Sequence, residues 1–159
     1  MTQRTLSRRT VLSFSVGLLG LSASPVIADR LDTRMLVVKD PNCGCCGAWI
    51  EIVQSAGFEV TTEHRGGTAL MRYKTDNGIP EAMASCHTAR IGGYTLEGHV
   101  PVADIRRLLK ERPDAIGLAV PGMPYGSPGM GPEDAREAYD VFLIQENGNT
   151  SVFSHYDAA

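Results

Sequence analysis

The chain reads as an α/β domain, a mixed sheet flanked by helices, and three observations predict it. A short β-branched run, Met35–Lys39, is followed within a few residues by an apolar repeat at three- and four-residue spacing, then by an alternating run. Two further strand-like runs meet at Gly92-Gly93, a two-residue hairpin signal. An amphipathic stretch opened by Pro101 comes directly after them.

Met35–Lys39 has the length and residue types of a buried strand. From Gly44 onward Ala48/Trp49, Ile52/Val53 and Ala56 repeat as one face of a helix, with Gly57 placed to cap its end. Phe58–Thr62 alternates apolar and polar as a strand does, so the first unit is βαβ and its second strand should lie parallel to the first. Thr68 can cap a short helix through Tyr73, stopped by Asn77-Gly78, and Pro80–Ala84 is a connection or single turn. Cys86–Ile91 and Tyr94–Glu97 form the hairpin. Val102, Ile105, Leu108 and Leu109 line one face of the next helix, which Pro113 ends. This βα(β)αββα order is that of a thioredoxin-like fold.

Beyond Pro113 the texture changes. Residues 117–130 hold too much glycine and proline for a regular element, yet they carry Met123 and Met130 and no charge, which is unlike a solvated linker. The segment is expected to be an ordered loop folded over something. Tyr139–Ile144 and Thr150–Phe153 flank Asn147-Gly148 as a C-terminal β-hairpin.

The N-terminus carries an address. Ser7-Arg8-Arg9-Thr10 precedes the apolar stretch Val11–Leu21, and Val26-Ile27-Ala28 supplies small residues where a signal peptidase cuts. That stretch falls short of the ~18 apolar residues needed to cross a bilayer. Residues 1–28 are therefore read as a signal peptide of the twin-arginine type, directing the chain to the periplasm, with residues 29–159 as one domain. Three arginines leave with the signal, so Lys+Arg falls from 15 to 12 against 18 Asp+Glu, a mature net charge near −6. An acidic balance argues against nucleic acid or anionic lipid as partner, and suits a metal ion.

Chemistry concentrates at the four cysteines. Three sit in Cys43-Gly44-Cys45-Cys46 and the fourth beside a histidine at Cys86-His87. Dense thiolates bind soft metals such as Cu(I) and Zn(II) or exchange disulfides, and Cys43 and Cys46 have the C-x-x-C spacing of a redox pair. A third use, two structural disulfides, requires Cys45 or Cys46 to reach Cys86. At the start of the first helix, unpaired N–H groups and the helix dipole favour a thiolate, which serves a metal ligand and a redox nucleophile alike. The hairpin discriminates between them. By similarity to the glutaredoxin hairpin, His87 takes the place of the proline that shields the cysteine pair, so Cys86 and His87 become further ligands. His99, before the Pro101 helix, is another candidate, and Met123 and Met130 can supply thioethers, which select copper, or fill core gaps. His64 and His155 stand without companions.

Cys43-Gly44-Cys45-Cys46-Gly47, Ser85-Cys86-His87-Thr88-Ala89, Glu97-Gly98-His99-Val100-Pro101 and Gly117–Pro124, with Gly126–Met130, resemble the CopG-type periplasmic metal-binding family, long catalogued as a domain of unknown function and distinct from the DNA-binding repressor of that name. The resemblance runs from about Met35 to Phe153. It implies a thioredoxin-like fold, metal binding and a part in copper resistance, with Cu(I) as the ion and other periplasmic copper proteins as partners. Gly131 departs from the pattern, standing where relatives often carry an acidic residue. Two functions remain open on this reading: a copper-binding protein, and a thiol–disulfide or copper oxidoreductase.

Overall fold

The computed structural model describes residues 33–159; the expected signal peptide, residues 1–28, lies outside the described residues. Strand β1 (Arg34–Lys39), helix α1 (Gly44–Ser55) and strand β2 (Glu59–His64) form the βαβ unit, and β1 and β2 pair parallel from Arg34↔Glu59 to Lys39↔His64. Helix α2 (Gly67–Asp76) and a single 3₁₀ turn (Glu81–Met83) lead to the hairpin β3 (His87–Ile91) and β4 (Tyr94–Glu97), followed by α3 (Val102–Glu111). The chain then adds β5 (Gly117–Ala119), β6 (Tyr139–Ile144) and β7 (Thr150–Tyr156). Among the described residues these strands make one seven-stranded sheet in the order β2-β1-β3-β4-β5-β6-β7.

The local reasons match the sequence patterns. Gly57 carries φ +93° just past α1, a left-handed end that costs glycine least. Gly92 and Gly93 both have positive φ, as a tight turn between β3 and β4 demands. Pro101 caps α3, whose Ile105, Leu108 and Leu109 are buried together with Trp49 and Val53 of α1 against Val37, Ala89, Leu96 and Leu118 of the sheet. A smaller cluster joins Ile79, Ala119 and Ile144. Leu118 and Ala119 serve the two clusters in turn because successive strand residues point to opposite faces. Edge strand β2 is mostly exposed and carries Glu59, Glu63 and His64, charged or polar positions that discourage a further strand from pairing there.

Two expectations need correction. Thr68 is not a helix cap: α2 begins at Gly67 with Gly66 at its N-cap and no side-chain capping bond, and the helix continues past Tyr73 to Asp76. Nor is the Gly/Pro-rich segment irregular throughout. Its first three residues are β5, parallel to β4 with Leu96↔Leu118 in register and antiparallel to β6. A glycine begins this strand for a reason of space. A Cβ on Gly117 would stand 1.7 Å from the Thr95 carbonyl oxygen. Local propensity depletes glycine from strands, but here close backbone approach wins.

That contact gives a test. Gly117→Ala should displace β5 and lower stability by about 3 kcal/mol, roughly 10 °C in Tm for a domain of this size. A variant that melts with the parent would mean that the β4–β5 spacing is not tight in solution.

Candidate metal and thiol centre

Three elements converge on one end of the sheet. Cys43 is the N-cap of α1, and Cys45 and Cys46 lie in its first turn. Cys86 immediately precedes β3, and His99 follows β4. Cys43 and Cys46 form a disulfide with Cα atoms 5.5 Å apart, while Cys45 and Cys86 are free thiols. The ligand atoms of Cys43, Cys45, Cys46 and Cys86 all lie within 4.8 Å of one another, and so do those of Cys86, His87 and His99. The Cys86 sulfur belongs to both groups. The Cys45 sulfur is 3.5 Å from that of Cys43. The density that suggested exchange or metal chemistry is therefore a spatial fact, and the disulfide follows the C-x-x-C spacing and leaves Cys86 unbridged.

The two histidines approach Cys86 differently. His99 is buried, its Nδ1 donating to the Pro128 carbonyl at 2.7 Å. That bond fixes the tautomer and leaves Nε2, 3.1 Å from the Cys86 sulfur, with its lone pair aimed at the centre. His87 is also fully buried, with Nδ1 3.2 Å from the same sulfur and its ring 4.4 Å from that of Trp49. Its Nε2 is buried without a hydrogen-bond partner. An orphaned imidazole nitrogen is costly. The sulfurs together with His87 Nδ1 and His99 Nε2 beside Cys86 make a donor set whose chemistry fits a soft or borderline metal ion. Cys86, rather than His87, is thus the hairpin side chain that reaches the α1 cysteines.

Burial governs the electrostatics. Desolvation, then the neighbouring Cys45, pushes the Cys86 thiol up to about 12. Burial holds His87 well below the usual imidazole range, with His99, Lys74 and Lys39 acting in the same direction. Burial also lowers His99, against the opposing bond to the Pro128 carbonyl. Without metal the pocket therefore keeps a neutral thiol beside two neutral imidazoles. The helix N-terminus, expected to favour thiolate, holds a disulfide at Cys43 and Cys46 instead.

The Gly/Pro-rich segment is the wall of this pocket. Gly122 bridges Ser85, and its N–H donates to the Ala84 carbonyl at 3.2 Å. A Cβ on Gly129, φ +85°, would stand 2.7 Å from the Trp49 nitrogen, so the strap lies directly on the first turns of α1. Its internal bonds, Gly126 to Met130 and Met130 to Ser127, make it ordered as expected. Met130 follows this contact and is half-buried, whereas Met123 is 54% exposed. Of the other two histidines, His64 ends exposed strand β2, and His155 has companions after all in Asp140 and Asp157.

Sequence reasoning missed three contributors. Lys74 and Glu97 form a buried pair behind Cys86, and the Pro128 carbonyl orients His99. Glu97 occupied an ordinary polar position in an alternating strand, and a backbone carbonyl carries no sequence signal. Trp49, read as helix packing, does pack, and its Nε1 also donates to the Val100 carbonyl at 2.9 Å beside His99.

The raised Cys86 pKa sets a pH dependence. A thiol whose folded pKa exceeds its ordinary value of 9.0 contributes stability below that value, and loses it as pH rises through the folded pKa of about 12. Metal-free protein should therefore weaken between pH 9 and pH 12 more steeply than Cys86→Ser, as measured by urea unfolding across that range. Parallel curves for the two proteins would remove Cys86 as the cause.

A family model described as "Protein of unknown function, DUF411" matches residues 83–130, the stretch from the 3₁₀ turn through the strap. Two solved structures are similar over most of the domain. "Copper resistance protein copG, Form 1" is 43% identical with a TM-score of 0.74, covering 80% of this chain and 99% of its own. "Copper resistance protein copG, Form 2" is 46% identical with a TM-score of 0.71, covering 77% and 97%. No curated protein matches the sequence. At this identity, over nearly the whole of those relatives, the chain belongs to the CopG-type DUF411 family.

Proposed function

We propose that this protein is a periplasmic copper-binding protein of copper resistance and homeostasis, with Cu(I) as its cargo. The observation that carries the reading is the convergence of four sulfurs within 4.8 Å, with Cys86 shared by a second group containing two imidazoles. Thiolates prefer a soft monovalent ion, and relatives named for copper resistance support copper over zinc. Once the disulfide is reduced, Cys43, Cys45, Cys46 and Cys86 are the principal ligands, with His99 and His87 beside them. Met130 and Met123 are candidates for thioether support, Met130 half-buried and Met123 exposed. Among the described residues no helix is long and apolar enough to cross a membrane. The Arg8-Arg9 leader supports export, a thioredoxin-like domain over residues 29–159 is the scaffold of this reading, and other periplasmic copper proteins are its natural exchange partners.

Competition with a calibrated Cu(I) chelator tests the cargo. Reduced, oxygen-free protein should take Cu(I) from the chelator and hold it more tightly than Zn(II). Closing the Cys43–Cys46 disulfide, which consumes two thiolates, should weaken binding reversibly. Serine at Cys43, Cys46 or Cys86 should each remove most affinity, and non-additively, because the ligands act as one unit. Equal Cu(I) affinity in the disulfide form would refute ligation by those cysteines.

The disulfide itself favours a second reading. With the Cys45 sulfur 3.5 Å from that of Cys43, the cluster has the parts of a thiol–disulfide or copper oxidoreductase. Weighing against general disulfide reduction, Cys86 and His87 fill the wall where a substrate backbone would dock, and the strap lies on α1. Insulin reduction driven by dithiothreitol should accordingly be slow beside a thioredoxin. Turnover at a thioredoxin's rate would place the enzyme reading first.

A further inference from the structure

Behind the Cys86-His87 dipeptide lies a buried polar network that the proposed ligands do not include. The Glu97 carboxylate is wholly inaccessible to solvent. Its Oε1 accepts from the Ser85 backbone N–H at 2.7 Å and from Lys74 Nζ at 2.5 Å, and its Oε2 accepts from Thr88 Oγ1 at 2.7 Å. Lys74, itself buried on α2, also reaches Thr88 Oγ1 at 3.1 Å. One carboxylate thus grips the residue before Cys86 and the residue after His87. Its own strand leads through Gly98, whose N–H donates to the His87 carbonyl at 2.9 Å, directly to His99.

We propose that Glu97 is a positioning residue that clamps Cys86, His87 and His99 into one preorganised group, with Lys74 as its buried counter-ion. The copper arm of the test rests on the function proposed above; the clamp itself does not. The energetic argument starts from cost. Burying two charges forfeits their hydration, and a well-packed apolar pair of similar volume is often as stable or more so. A pair placed for stability alone has cheaper replacements. What an apolar pair cannot do is accept from Ser85 and Thr88 simultaneously, and those two bonds bracket the Cys-His dipeptide. The Ser85 hydroxyl is engaged elsewhere, with the Gly122 carbonyl of the strap and weakly with Cys86, so Glu97 is the side chain that holds its backbone N–H. Partners that orient metal ligands from behind are worth about 10- to 100-fold in metal affinity. Acting through hydrogen bonds on neighbours, Glu97 touches no cargo.

The Cys43–Cys46 disulfide makes a clean test, because it leaves Cys45 and Cys86 as the two free thiols. Iodoacetamide labelling of disulfide-intact, metal-free protein at fixed pH, followed by peptide mass spectrometry, gives the Cys86 rate with Cys45 as internal control. Lys74→Met combined with Glu97→Gln removes both charges together, so no buried ion is left unpaired. Thr88→Val removes a single grip at nearly constant volume. Both proteins should show Cys86 labelling accelerated severalfold relative to Cys45, and after reduction a Cu(I) affinity at least ~10-fold lower. Thr88→Ser should restore the parent ratio. General loosening would speed both cysteines and leave the ratio unchanged, which would overturn the clamp. Should the double variant fail to fold, Thr88→Val decides, and a parental labelling ratio in it overturns the proposal. Should the parent bind no Cu(I), the copper reading falls while the labelling ratio still judges the clamp.

Discussion

Trp49 joins the two halves of the site. Its indole N–H donates to the Val100 carbonyl, just past His99, and its ring lies on His87 at 4.4 Å. A fully buried tryptophan of this kind is worth about 3–5 kcal/mol against alanine. It fixes where the first turn of α1 stands relative to the β3–β4 hairpin, and the backbone at Trp49 is also the floor on which Gly129 of the strap rests. The cysteine turn, the Cys-His dipeptide and the strap are thus referenced to one side chain. Any shift of α1 along its axis would part the Cys43–Cys46 sulfurs from Cys86.

From that junction the chemistry of the pocket follows largely from exclusion of water. The same strap that covers α1 supplies the carbonyl that orients His99, and the same burial that raises the Cys86 thiol lowers both imidazoles. A neutral thiol between neutral imidazoles is a poor nucleophile at neutral pH; on the copper reading proposed above, its sulfur would become a ligand when the arriving ion displaces its proton to solvent. Under the same reading, Cys86 and His87 on the facing wall weigh against thiol chemistry with large substrates. The Cys43–Cys46 disulfide withdraws two of the four cysteine sulfurs from ligation and leaves Cys45 and Cys86 as free thiols.

Glu97 and Lys74 show how the α2 side of the sheet takes part in a site that faces α1. In β4, Leu96 enters the main core and Glu97 the opposite face, where α2 delivers Lys74. Strand alternation therefore couples the two faces through single residues of a central strand. The cost of the buried pair falls on the fold as a whole, whereas its bonds to Ser85 and Thr88 act locally on the cysteine loop.

Much of this was legible in the residues. Apolar spacing in Ala48–Ala56 and Val102–Leu109, the Gly92-Gly93 turn and the β-branched run at Met35–Lys39 determine their elements, because each signal is local and its period belongs to one kind of structure. The soft-donor content of the site was equally plain in Cys43–Cys46 and Cys86-His87, since residue type sets ligand chemistry. Tertiary structure alone decided the rest. Gly117–Ala119 became a strand because a neighbouring backbone fits only against glycine, a non-local fact that propensity opposes. Which of Cys86 and His87 meets the α1 sulfurs depended on where the hairpin seats against Trp49. Glu97, polar in an alternating strand, gave no sign of being buried, because burial on the second face is settled by the arrival of α2 and β5 from far along the chain. The Pro128 carbonyl that orients His99 has no sequence signal at all; only folding brings a backbone oxygen to a ring nitrogen 29 residues away.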